Sequence, residues 1–398
     1  MSDVTGTPAA SRLSARARGV ESSGIRVLYE LANERDGDTV RLEVGEPDFD
    51  TPEHIVDAAA AAAREGDTHY TSTRGTQAAR AAISEKLARD NGLEVDPDSE
   101  VVVTNGAMEG LYLGLLAVVE PGEEIVLPAP TYSNYETIAR MIDAETVYVP
   151  LDPAEGFALD AEAVVDAIGP DTGAVVLNSP NNPTGRVFDE DAIAAVAAAA
   201  ADAGAYVVAD EVYTALTHDG DRAGVTTAVD ERDRDRVLAV SSCSKEYAMT
   251  GWRLGWITGP PDVMEAAAVL HQGTTSCASS VSQAAAVAAL TGPQEPAREM
   301  LEAFAARRDY VVDRVAELPG VTAPEPEGAF YAFLDVRHVE GSSLDVAKRL
   351  LFEHGVATAP GSAFGDHCDG YVRVSYATGM DQLREGFDRI EAFLRAEG

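Results

Sequence analysis

Lysine is nearly absent from this chain. Lys86, Lys245 and Lys348 are the only three among 398 residues, and almost all of the 30 basic side chains are arginine. Basic charge is scarce altogether against 67 acidic residues, which leaves a formal net charge of −37. A surface of that sign repels phosphate backbones and anionic lipid, so neither nucleic acid nor a membrane surface is an expected partner. The acidic residues are spread along the chain and not gathered in a tail, and a halophilic setting, where salt screens their mutual repulsion, is expected. Cysteine is equally sparse. Cys243, Cys277 and Cys368 are odd in number and far apart, which excludes a disulfide framework and a CxxC metal pair. The seven histidines show no ligand spacing; His367-Cys368-Asp369 stands alone, so no metal is expected. No Gly-x-Ser-x-Gly elbow occurs. The longest alanine-rich run, Ala192 to Ala209, is broken by Asp202 and Gly204 and does not suit a membrane span. The stretch Met1 to Arg18 carries Arg12, Arg16 and Arg18 and lacks the apolar core of a signal peptide, so a cytoplasmic location is expected.

What is present is a rhythm of short β-branched runs and alanine-rich helical stretches. Strands are expected at Glu100–Thr104, Glu124–Leu127, Thr146–Val149, Ala174–Leu177, Tyr206–Ala209, Val237–Val240 and Gly255–Thr258. Helices such as Ala107–Val119 and Glu190–Ala203 alternate with them, which predicts an α/β fold: a mostly parallel seven-stranded sheet between helices. After about Val281 the pattern changes to a smaller α+β lobe, with a long helix near Pro296–Leu318 and Pro319–Gly328 as a turn within it. In such sheets ligands bind beyond the carboxyl ends of the strands.

The chemistry-bearing residues cluster there. Lys245 lies in Ser241-Ser242-Cys243-Ser244-Lys245, eight positions before Arg253, whereas Lys86 and Lys348 fall in segments that read as surface helix. A lysine amine can lose its proton and form a Schiff base with an aldehyde; a guanidinium cannot. Hydroxyls and an arginine nearby suit a phosphate, and together they point to pyridoxal phosphate (PLP). Gly106 opens a helix whose first amides, at Ala107 and Met108, form a natural phosphate seat, although by itself such a turn is equally a plain connector. Asn178-Ser179-Pro180-Asn181-Asn182-Pro183-Thr184-Gly185, after the fourth strand, is either a rigid turn or a group that puts the Asn182 side-chain amide on the cofactor's phenolic oxygen. Asp210, at a strand end, either caps a helix or pairs with the pyridine nitrogen, with Tyr213 near the phenolic oxygen. Tyr132 can stack on a planar ring or be merely half-buried. Arg373, inside an apolar strand, needs an anion: either a salt-bridge partner or a substrate α-carboxylate.

The order of these pieces resembles the class I/II aminotransferases of PLP fold type I over roughly Gly24 to Leu394. The residues that carry the resemblance include Gly45-Glu46-Pro47-Asp48-Phe49, His69-Tyr70-Thr71, Asn105-Gly106-Ala107, Asn181 to Gly185, Asp210 to Tyr213, Ser242 to Arg253, Gly328 to Tyr331 and Val372 to Ser375. The resemblance implies a large PLP domain at residues 49–283, a small domain at 284–398, and an N-terminal arm at 1–48 that contributes to the small one. It implies Lys245 as the internal aldimine lysine and proton carrier, Asp210 at the pyridinium, and Asn182 and Tyr213 at the phenolic oxygen. Gly106, Ala107, Met108, Ser242 and Arg253 would hold the phosphate, Tyr132 would stack on the ring, and Arg373, Asn182 and Gly45 would hold the substrate carboxylate. Tyr70 would reach the phosphate of a neighbouring subunit, which requires a homodimer. The implied reaction moves the amino group of an L-amino acid to a 2-oxo acid, most often 2-oxoglutarate, in ping-pong fashion. In the aspartate-using branch a lysine falls where this chain has Met108, and Arg74 is the alternative distal charge. A related lyase, of the β C–S or aminocyclopropane carboxylate synthase kind, shares most of these residues. A non-enzymatic effector-binding domain of a PLP-dependent regulator fits less well, because so few residues precede the match.

Overall fold

The computed structural model describes residues 13–20, 22–35, 37–218 and 224–397; Arg12 and the rest of the first twelve lie outside the described residues. Seven strands form the central sheet: β1 (Val101–Thr104), β2 (Glu124–Ala129), β3 (Glu145–Pro150), β4 (Thr172–Asn178), β5 (Tyr206–Asp210), β6 (Val237–Ser242) and β7 (Gly255–Thr258). All seven agree with the strands expected from the sequence to within one or two residues at each end. Their spatial order is β1-β7-β6-β5-β4-β2-β3. Every pair is parallel except the two made by β7, which runs antiparallel to β1 and β6.

Burial on both faces explains why these strands read as apolar runs and not as alternating patterns. Along β4, Val175 and Leu177 join Ile193 and Val196 of the helix Glu190–Ala203 on one side. Ala174 and Val176 turn the other way, towards Leu111 and Leu115 of the helix Ala107–Val118. The same period of two divides β2 and β5 between the two cores.

A second sheet belongs to the C-terminal part. Tyr371–Ser375 lies between Tyr331–Asp335 and Ala359–Pro360, antiparallel to both. The helices Glu295–Glu317, Ser343–His354 and Met380–Glu397 surround it. The N-terminal segment joins this part: Val40–Arg41 pairs in parallel with Val356–Ala357, and Leu28 and Ala32 pack on Ala347 and Leu351. No helix among the described residues is long and apolar enough to cross a membrane.

Two expectations need correction. Pro319–Gly328 is a turn only at its start. Its remainder forms no further turn: Thr322 and Gly328 make isolated antiparallel bridges to Asp335 and Thr217, and the amides of Glu327 and Gly328 both donate to the Gly185 carbonyl, at 2.8 and 2.9 Å. Lys86 is not on a surface: it is 5% exposed on the helix Gln77–Asn91, because two carboxylates meet its amine inside the protein.

Candidate active site

The carboxyl ends of β1, β4, β5 and β6 open into one pocket of about 680 Å³, lined also by Gly45, Tyr132, Tyr331 and Arg373. Each side chain is there for a local reason. At the end of β1, Gly106 adopts φ +87°, a conformation that a side chain disfavours, and turns the chain into the helix Ala107–Val118. No side chain caps that helix, so its first amides, at Ala107 and Met108, remain available where both residues line the pocket. Arg253, itself at φ +54°, lays its guanidinium over Gly106, and a Cβ at that glycine would stand 2.5 Å from Nη2. The guanidinium is steadied by the carbonyls of Thr250 and Asn105 at 2.9 and 3.3 Å. Ser242 ends β6, buried, with its Oγ accepting from the Ser244 amide at 3.3 Å. Amides, hydroxyl and guanidinium together form a cradle for a phosphate.

Deeper in the pocket, Asp210 ends β5 and is buried. Its Oδ2 accepts from the Tyr135 hydroxyl at 2.7 Å and its Oδ1 from the Val212 amide at 3.3 Å. Burial pushes its carboxyl above the usual range, against the lowering effect of those two bonds. Lys245 follows β6 in a turn and donates from Nζ to the Gly45 carbonyl at 2.6 Å. Burial lowers its amine to about 8, opposed in part by the negative charge of Glu46. The Tyr213 hydroxyl lies 2.8 Å from that of Tyr331, and burial pushes it well above the ordinary phenol value. Tyr132 accepts from Asn134 Nδ2 at 2.9 Å, and burial raises its phenol to about 12.

Arg373 sits on the small sheet, 2% exposed. Its Nη1 donates to Asn182 Oδ1 at 2.8 Å, its Nη2 donates to the Glu43 carbonyl, and its guanidinium lies 4.3 Å from the centre of the Tyr331 ring. Its Nε has no partner, and no carboxylate pairs with it among the described residues. A buried guanidinium so arranged calls for an anion in the pocket. The Asn182 amide donates to Asn178 Oδ1 at 2.8 Å, and with Oδ1 of Asn182 taken by Arg373, its Nδ2 is the atom left to serve as a donor.

These groups fit PLP chemically. The cradle at Gly106, which a Cβ would obstruct, can take the phosphate; the buried Asp210 can face a pyridinium; and Lys245, with its lowered amine, can condense with the aldehyde. Of the residues predicted from the sequence, Gly106 sits just behind the lining, and Tyr70 does not reach this pocket. It is 89% exposed and lies beside Cys277 and Ser279 elsewhere on the surface. Arg74 is not in the pocket either, since it binds Glu265 and the Ser99 carbonyl. Sequence reasoning gave no role to several lining residues, Tyr331, Asn178, Tyr135 and Arg26 among them. Tyr331 lay within a recognised segment, and Asn178 directly precedes the Ser179-Pro180 step into the Asn-Pro turn. Tyr135 and Arg26, the latter on the helix Gly24–Glu34, carried no signal.

Similarity to known proteins accords with this geometry. The profile of aminotransferase class I and II matches residues 37–390. A probable N-acetyl-LL-diaminopimelate aminotransferase of Bacillus subtilis is 37% identical, covering 96% of this chain and 95% of that relative. An aspartate aminotransferase of Rhizobium meliloti is 39% identical over 94% and 95% of the two chains. Among solved structures, aspartate aminotransferase from Thermus thermophilus with maleate superposes with a TM-score of 0.90 at 36% identity, over 96% of this chain and 99% of that one. Alanine aminotransferase from Pyrococcus furiosus gives 0.91 at 31%, over 97% and 100%.

Proposed function

The chain belongs to the class I and II aminotransferases, enzymes that depend on PLP, and on that premise we propose that it moves the α-amino group of an L-amino acid to a 2-oxo acid in two ping-pong half-reactions. The observation that carries this reading is the convergence of Lys245, Asp210 and Arg373 in one pocket. When bound, the cofactor supplies an electron sink for the charge that develops at the substrate Cα.

The roles of the chain's own groups follow from their chemistry. Lys245 holds the cofactor covalently at rest. When free, its Nζ would take the substrate Cα proton, a task for which an amine lowered to about 8 is suited. Asp210 faces the pyridine nitrogen and keeps it protonated, held in line by Tyr135 and the Val212 amide. Asn182 and Tyr213 would donate to the phenolic oxygen, Tyr132 would stack on the ring, and the amides after Gly106 with Ser242 and Arg253 would hold the phosphate. Arg373, with Asn182 and the Gly45 amide, takes the substrate α-carboxylate as its missing anion.

2-Oxoglutarate is the favoured acceptor. Its distal carboxylate needs a further cation, and Arg26, which is exposed and pairs with Glu30 at 2.8 Å, is the one lining cation among the described residues besides Lys245, Arg253 and Arg373. The Thermus relative was solved with maleate, also a dicarboxylate. Tyr70, exposed and outside its own pocket, completes the phosphate site of a second copy in a homodimer. Residues 49–283 act as the cofactor lobe and 284–398, with 1–48, as the substrate lobe; the pairing of Val40–Arg41 with Val356–Ala357 supports that grouping. The acidic composition supports a salt-rich cytoplasm as the setting.

The test is the visible spectrum of the purified holoenzyme in high salt as single L-amino acids are added without a 2-oxo acid. The band of the covalently held cofactor should be lost with a good donor and restored by 2-oxoglutarate. In Lys245→Ala both the band and turnover should vanish. Release of ammonia or thiol with the band intact would replace this reading with a lyase.

A further inference from the structure

Lys86 lies on the helix Gln77–Asn91, whose other buried residues, Ala79, Ala82, Ile83 and Leu87, are apolar. Its Nζ donates to Glu246 Oε2 at 2.7 Å and to Asp90 Oδ2 at 2.8 Å, and all three side chains are less than a tenth exposed. Asp90 also accepts from Arg89 Nε at 2.8 Å, so the cluster holds two cations and two anions. The Tyr247 ring covers the ammonium at 5.7 Å.

The position of Glu246 in the chain gives this cluster its meaning, because Glu246 directly follows Lys245. The two side chains leave the same turn in different directions, Lys245 into the pocket and Glu246 onto the helix. Backbone bonds within that turn are few: the Tyr247 amide reaches the Cys243 carbonyl at 3.3 Å, slightly long, and the Met249 amide reaches the Ser244 carbonyl at 3.1 Å. A buried ion pair contributes little net stability, because desolvation offsets its attraction. Fixing a geometry is what such a pair does well. The compact ammonium, with three donors, serves both carboxylates at once.

We propose that Lys86 is a positioning residue for the reaction: by clamping Glu246 it fixes the turn that presents the Lys245 amine to the pocket. Without the ammonium, Glu246 loses its 2.7 Å ion pair, and a buried carboxylate deprived of a cation is destabilised. It escapes by taking up a proton or by swinging towards water, and either change loosens the peptide between 245 and 246 and the hold of Nζ on the Gly45 carbonyl. Displacing a reacting group by about 1 Å can slow a reaction by roughly a hundredfold.

The inference rests on Lys245 being the cofactor-bearing lysine, and the wild-type spectrum tests that separately. In Lys86→Met holoenzyme, three quantities are compared with wild type: the pH midpoint of the bound-cofactor absorption band, the single-turnover rate of its loss with an amino donor, and the melting temperature. The midpoint should move by about half a pH unit or more. The rate should fall about tenfold, with the donor dissociation constant unchanged within about twofold. If Lys86→Met does not fold, Glu246→Gln, which keeps the Lys86–Asp90 pair, should show a displaced midpoint and a rate about threefold lower. A folded variant that melts earlier yet keeps the wild-type midpoint and rate would reduce Lys86 to a structural ion pair. A wild-type protein with no such band would overturn the reading of Lys245 and the clamp with it.

Discussion

Burial acts in opposite senses on the two ionisable groups at the centre of the pocket. It raises the Asp210 carboxyl, and it lowers the Lys245 amine to about 8. Both shifts favour the neutral forms that a dry site prefers until a cofactor brings its own charges. For Lys245 the sign is definite. Between pH 8 and roughly 10.4, the ordinary lysine value, the unfolded chain binds a proton that the folded one does not, so folded-state stability rises with pH across that window. Below it, the charged amine carries its full burial cost. The rate at which apoprotein captures PLP should therefore climb about tenfold per pH unit up to about 8 and then level off, because only the neutral amine attacks an aldehyde. Stopped-flow absorbance measures this, and a plateau reached only near 10 would show the amine to be unperturbed. At this scale much of the pocket was legible. Lys245, Asp210, Asn182 and Arg373 sit in motifs whose composition already suggests their chemistry. Tyr135 was not, since nothing local tells which of several tyrosines will meet a carboxylate 75 positions away.

Strands and the helices that follow them are where prediction from sequence held best, because a strand buried on both faces needs an unbroken apolar run. Lys86 shows the limit of that reasoning. A lysine on an amphipathic helix reads as solvated, and its burial depends on Glu246, 160 positions further on. Pro319–Gly328 fails for a similar reason: its proline and glycine content suggests a turn, but its end is held by bonds to distant residues, the Gly185 carbonyl among them. The join of β1 to the helix Ala107–Val118 carries a prediction of its own. Gly106→Ala places a Cβ 2.5 Å from Arg253 Nη2 at a residue with φ +87°, so the arginine must withdraw from the phosphate cradle or the turn must open. The backbone strain should cost about 1–2 kcal/mol in thermal unfolding of the apoprotein. PLP should dissociate at least about tenfold more readily, which spectroscopic titration detects. Unchanged cofactor affinity would separate this helix end from the phosphate.

On the scale of the whole molecule, charge is the governing feature. With a net −37, self-repulsion opposes the compact state unless ions screen it. Surface ion pairs such as Arg26–Glu30 and Arg314–Asp388 relieve it only locally. The melting temperature should rise by about 5 °C or more between dilute buffer and molar KCl, since each kcal/mol of relieved repulsion is worth roughly 2 °C in a chain this long. Equal melting in both would dismiss a halophilic adaptation. One core spans both sheets: Tyr213 and Leu216, which follow β5, pack in one cluster with Phe304, Phe330 and Leu334 of the C-terminal part. That seam matters during synthesis. As the chain leaves the ribosome, every strand of the central sheet is available before Phe330 exists to cover Tyr213 and Leu216. The nascent protein must therefore hold a sticky apolar face open while its last third is translated, and a ribosome that stalls there releases a client for chaperones, not half an enzyme.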